Sequence, residues 1–262
     1  DLDKAQEEKQ SYTIEFLMGS TDDNGALFFC NGVLEKLQEY LDDGTLVCKS
    51  GNMTFDSTGI LRWDQDAAQA KMKSILDEFY QEEKTPNIII TASDEFAIGV
   101  QELLEERGIL SDSEEWPVIT GYGSEMQAVK DVAEGKITLT TYLDRKELAQ
   151  GGAKMALDYL AGEKVDVKDY SQYDNGTKIV GTFTCGAQLI DKDNYQILVD
   201  NGTYDEEEVK PDPTPTATPE PTATPEPTLT PEVTSDPEAT ITPKATVTPT
   251  ASGTPATADK TI

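Results

Sequence analysis

Residues 86–104 read Pro-Asn-Ile-Ile-Ile-Thr-Ala-Ser-Asp-Glu-Phe-Ala-Ile-Gly-Val-Gln-Glu-Leu-Leu, and this stretch decides the fold. Ile88, Ile89 and Ile90 form an uninterrupted β-branched run, the pattern of a strand covered on both faces. Thr91-Ala92-Ser93-Asp94 closes it, and Phe96, Ala97, Val100, Leu103 and Leu104 then recur at helical spacing. Ser93 or Asp94 serves as N-cap. The unit is strand, turn, helix. Repeated, it predicts an α/β fold with an open, mostly parallel, doubly wound sheet. In such sheets ligands bind at the carboxyl ends of the strands, where helix N-termini present free N–H groups.

Four more units surround it. Tyr12 to Met18 is a strand, Gly19 to Gly25 its turn, and Leu27, Phe28, Cys30, Val33, Leu34, Leu37 and Leu41 mark a helix stopped by Asp43-Gly44. Thr45 to Lys49 is the second strand, followed by a polar loop through Phe55 and a helix capped by Asp64. Pro117 to Thr120 leads through Gly121-Tyr122-Gly123-Ser124 into a short helix, Met126 to Val132. Ile137 to Tyr142 is the fifth strand, and Asp144 opens a helix to about Leu160. Beyond Val165 the pattern becomes irregular, with strands expected at Lys178 to Phe183 and Gln188 to Ile190.

Composition sets the boundaries. Twelve of the 14 prolines lie from Pro211 onward, in a Thr, Pro, Ala and Glu segment without an aromatic residue. Such a segment buries too little apolar surface to offset its ordering entropy, so 211–262 reads as a disordered tail. The folded lobe is then 12–210, and 1–11 reads as a hinge-like remnant, a polar start resembling the middle of a longer chain. The 21 Lys plus Arg against 50 Asp plus Glu give a net charge of −29. Seven acids and two lysines of the tail account for −5, leaving −24 on the body. That disfavours nucleic acid and anionic membranes as partners.

There is no histidine, so His-based triads and general bases are excluded. Cys30, Cys48 and Cys185 form no CxxC pair and read as small buried hydrophobes, with an extracellular disulfide as the alternative. No turn reads GxGxxG or GxxxxGK[ST], so no nucleotide cofactor is implied. Asp22-Asp23-Asn24 is the one acidic turn with chemical potential, and loop-and-cap duty is its simpler reading. Binding without catalysis fits best.

Three stretches sharpen this. GSTDDNGALFF (Gly19 to Phe29), SGNMTFDSTGILRWD (Ser50 to Asp64) and YDNGTKIV (Tyr173 to Val180) occur in this order. Together they resemble bacterial multiple-monosaccharide-binding proteins, and the match extends over about residues 5 to 210. The chain is similar to the carboxyl-terminal lobe of a type I periplasmic sugar-binding protein of the ribose and galactose class. The resemblance implies a clamp of two lobes that closes on a monosaccharide and hands it to the membrane subunits of an ABC importer, sometimes also to a chemoreceptor. It implies export to the periplasm or cell surface of a bacterium, no cofactor and no metal. Asp23, Asn24, Phe55, Ser93 and Tyr122 would face the sugar, with Asp94 orienting its turn. An aspartate is expected where this chain has Gly123, and an amide or other polar side chain near Leu143; Asp144 is the candidate to compensate. The ligand therefore differs from a simple hexose, or binding has decayed. The amino-terminal lobe, which would supply half of the sugar's partners, is missing from the match. The alternatives are an effector-binding domain of a regulator, against which stands the lack of a basic helix-turn-helix, and a surface interaction module that binds no ligand.

Overall fold

The isoleucine run forms β3 (Ile88–Thr91) and the segment after it α5 (Asp94–Glu106), with Ser93 as N-cap accepting the Phe96 N–H at 3.2 Å. The computed structural model describes residues 1–212 other than 168 and 172. Apart from Pro211 and Asp212, the expected disordered tail lies outside the described residues.

The remaining units follow in order: β1 (Tyr12–Leu17) and α2 (Asn24–Asp42); β2 (Leu46–Val47), α3 (Phe55–Thr58) and α4 (Gln65–Phe79); β4 (Val118–Thr120) and α6 (Met126–Ala133); β5 (Leu139–Leu143) and α7 (Arg145–Ala161). The strands form one sheet of order β2-β1-β3-β4-β5-β6, parallel except for β6 (Ala187–Asp191), which runs antiparallel to β5. The order reverses between β1 and β3. That switch point is where a crevice opens at the carboxyl ends of the strands.

Right-handed crossovers place α4, α5 and α6 on one face, where they bury Leu17, Ile89 and Ile119. On the other face α2 covers Ile14 and Phe16 with Cys30, Val33 and Leu37. It reaches no further than β1 and β2 with full coverage. Of the isoleucine run only Ile89 is fully buried; Ile88 and Ile90 are half-buried, and Val118 and Leu189 on the same face are 42% and 61% exposed. The expectation of a strand covered on both faces holds for Ile89 alone, because α7, which follows β5, buries none of its residues.

Three other elements differ from expectation. The stretch 178–183 forms no strand; Asp169–Thr182 and Asp174–Ile179 are isolated bridges within an irregular excursion. Residues Leu2–Glu7, in the segment read as hinge-like, form a helix (α1) capped by Asp1, with Ala5 buried. The second strand stops at Val47, and Cys48 onward is held by a side chain of β1 instead, as described below. Two short helices, α8 (Ile197–Asp200) and α9 (Glu206–Val209), close the described chain, packing Leu198 and Val209 against Val129 of α6 and Ile190 of β6.

Candidate sugar-binding site

All of the candidate residues stand where the strands meet their following helices or loops. In the β1–α2 turn Asp23 caps α2, its Oδ1 accepting the Gly25 N–H at 2.7 Å and its Oδ2 the Trp63 indole N–H at 3.2 Å. Asn24 follows, exposed in the first turn of α2. Buried Ser20 donates to the Asp22 carboxylate and accepts the Arg62 N–H at 2.7 Å, tying this turn to the loop before α4.

That loop carries Trp63, which sequence reasoning assigns to packing. Arg62 and Trp63 both have left-handed φ, 61° and 55°, a conformation costly for side-chain-bearing residues. The indole lies so close to Gly19 that a Cβ there would be 2.0 Å from Trp63 Cη2. It also stacks on Phe96, with centroids 6.0 Å apart. Trp63 therefore both packs and holds the Asp23 carboxylate. The adjacency of a positive-φ pair to an acidic turn is visible only in three dimensions.

In the loop after β2 the organiser is Glu15, a fully buried carboxylate in the middle of β1. It accepts from Ser50 N at 3.0 Å, Ser50 Oγ at 2.5 Å, Tyr80 Oη at 2.8 Å and Cys48 Sγ at 3.6 Å. Burial and this carboxylate push the Tyr80 hydroxyl well above its usual range, and burial likewise raises the Cys48 thiol. The loop so held leads to Thr54, whose capping box starts α3, and to half-buried Phe55. Cys48 and Cys185 are half-buried rather than core residues; Cys30 is buried, and all three are free thiols.

At β3, β4 and β5 the organiser is Asp94. It is 1% exposed, accepts Thr140 Oγ1–H on Oδ1 at 2.6 Å and the Glu125 N–H on Oδ2 at 2.6 Å, and its own N–H donates to Tyr122 O at 3.0 Å. Burial pushes its carboxyl above the usual aspartate range, against the lowering effect of these hydrogen bonds. Asp94 thus fixes the β4–α6 turn from below and is not the N-cap, which is Ser93. A Cβ on Gly121 would fall 2.2 Å from Asp94 Oδ1, so only glycine fits there. Tyr122, half-buried, meets Phe29 of α2 edge to face at 5.5 Å. Asp144 caps α7 through Lys146 N and Glu147 N at 2.9 and 3.0 Å, and Arg145 beside it pairs with Glu125 at 2.8 Å.

The rim thus assembles an exposed amide, a carboxylate, a hydroxyl and two aromatic rings around the switch point. Such a set makes several hydrogen bonds to hydroxyls and offers apolar faces to C–H groups. Asp94 and Asp144 are engaged in holding backbone.

Residues 2–164 match the family model described as "Periplasmic binding protein domain", and the chain belongs to that family. It is 34% identical over 203 residues to the multiple sugar-binding periplasmic receptor ChvE of Rhizobium radiobacter, covering 77% of this chain and 57% of that protein. It is 36% identical to the multiple sugar-binding periplasmic protein SbpA of Azospirillum brasilense, covering 77% of this chain and 56% of that one. Among solved structures it superposes on an ABC transporter solute binding protein from Clostridium phytofermentans with bound β-D-glucose, at a TM-score of 0.72 and 30% identity, covering 80% of this chain and 64% of the other. The chain spans just over half the length of the curated relatives it matches.

Proposed function

We propose that this chain forms the carboxyl-terminal lobe of an exported, non-enzymatic sugar-binding protein that captures a monosaccharide and delivers it to the membrane subunits of an ABC importer. The observation that carries this reading is the convergence of Asp23, Asn24, Phe55, Ser93 and Tyr122 at the switch point of a sheet that belongs to the periplasmic binding protein family.

A second lobe is part of the proposal. Leu148, Leu157, Tyr159 and Leu160 of α7 are 54–79% exposed, and an amphipathic helix that buries nothing calls for a partner surface. The amino-terminal lobe expected from the sequence would supply that surface and the other half of the ligand's partners. Half of a clamp leaves its ligand open to water, so the lobe alone should bind weakly.

Calorimetric titration of a two-lobed form with a panel of monosaccharides tests the reading. Binding of at least one sugar is expected. A flat response to all of them would leave the interaction-module alternative standing.

A further inference from the structure

Beyond Tyr122 the rim opens into a cavity of about 240 Å³, set between the β4–α6 turn, the end of β5 and the loop Asn201–Tyr204. Gly123, Ser124, Tyr142, Asn201, Thr203 and Tyr204 form its walls. The space is kept open by backbone conformation. Gly123 has φ 132°, which side-chain-bearing residues rarely adopt, and its N–H is fixed to Thr141 O at 3.0 Å. No side chain enters the cavity there without strain.

One wall carries an unmet hydrogen-bonding group. Ser124 is 3% exposed and its Oγ has no partner among the described residues. Its backbone is satisfied: the N–H donates to Thr140 Oγ1 at 3.2 Å, and the carbonyl accepts from Tyr204 Oη at 2.7 Å. A buried hydroxyl without a partner is costly to keep, and a ligand hydroxyl would supply what it lacks. Tyr142, bonded to Thr203 Oγ1 at 3.1 Å, and Tyr204 add aromatic surface beside the exposed Asn201 amide.

Charge and size narrow the occupant. Arg145 is compensated by Glu125, and the Asp144 carboxylate occupies N–H groups at the start of α7, so the cavity offers no uncompensated cation for an anion. At about eight times the volume of one water it exceeds what a single hydroxyl substituent needs. It also adjoins the rim, because Asp94, next to Ser93, holds both Tyr122 O and Glu125 N.

We propose that this cavity is a subsite for a second sugar ring, so that the ligand is a neutral disaccharide whose first ring lies at Asn24 and Ser93. The proposal rests on the sugar-binding reading above. It is tested by titrating the chain, isotopically labelled, with D-glucose, maltose and cellobiose at concentrations high enough for weak binding, and following backbone amide signals by NMR. One disaccharide is expected to bind about tenfold more tightly than glucose and to move the signals of Ser124, Tyr142 and Tyr204. Glucose is expected to move those of Asn24 and Ser93. Ser124→Ala should bring the affinity for the disaccharide down toward that for glucose. A glucose response at Asn24 and Ser93, with equal disaccharide affinity and silent Ser124, Tyr142 and Tyr204 signals, would overturn the subsite and leave sugar binding intact. No response to any of the three sugars would overturn both.

Discussion

Two side chains that never reach a ligand set the geometry of those that do, and each makes a prediction at its own scale. Trp63 presses on Gly19 so closely that any Cβ collides with the indole. Gly19→Ala should therefore cost about 1–3 kcal/mol, the range for overpacking a tight core, and should expel the indole toward water. Urea unfolding together with a red shift of tryptophan emission checks this, and an unchanged midpoint would mean the loop yields freely. Asp94 titrates in a definite direction. Its folded pKa is raised by burial, so the stability tied to its proton is fully present below the ordinary aspartate value of about 3.9 and is lost as pH rises through the folded value. Asp94→Asn does not titrate. The wild type should thus lose ground to Asp94→Asn between about pH 4 and pH 7, measured as the gap between their denaturation midpoints; a gap independent of pH would contradict the assignment. Asp94→Ala, which leaves Glu125 N and Thr140 Oγ1 without their acceptor, should cost about 1–3 kcal/mol at either pH.

The elements themselves were largely legible because their signals are local. Alternation of apolar runs with helical spacing placed five strand–helix units, and Asp23, Ser93, Asp64 and Asp144 cap the helices they precede. What was not legible depends on partners far away in sequence. Periodicity marks the apolar face of a helix but not what covers it, so α7 was readable as a helix while its exposure was not. The segment 178–183 has strand composition but meets no sheet edge among the described residues. Glu15 sits in a strand as an apparent violation of patterning, and only its four donors, from Cys48, Ser50 and Tyr80, explain it. Trp63 at Asp23 is likewise a contact across 40 residues of chain. The exposure of α7 predicts that Leu157→Lys combined with Leu160→Lys changes the unfolding free energy of this chain by less than about 0.5 kcal/mol per site. A loss of several times that in urea unfolding would mean the helix packs on the body.

At the scale of the whole molecule the question is how much one half of a clamp can do. The rim groups differ in how firmly they are already engaged. Asp23 is held by Gly25 and Trp63, and Ser93 by Phe96, whereas Asn24 is exposed at the helix start and Phe55 is half-buried at the start of α3. Asn24 and Phe55 are therefore the residues whose loss should be felt by a ligand and scarcely by the fold. In a two-lobed form, Asn24→Ala removes a group that both donates and accepts, and Phe55→Ala removes an apolar face. Each should weaken monosaccharide binding by about 1–3 kcal/mol, the cost of leaving a buried polar partner or apolar surface unmatched. The thermal midpoint should barely move for Asn24→Ala, since exposed turn residues contribute little to the core. In the lobe alone the same substitutions should be nearly silent, because the unmutated lobe already binds weakly when one side of the ligand faces water. Calorimetry on both forms decides the matter: equal effects in the lobe and the clamp would show that enclosure adds nothing, and no effect in either would place the ligand away from the switch point.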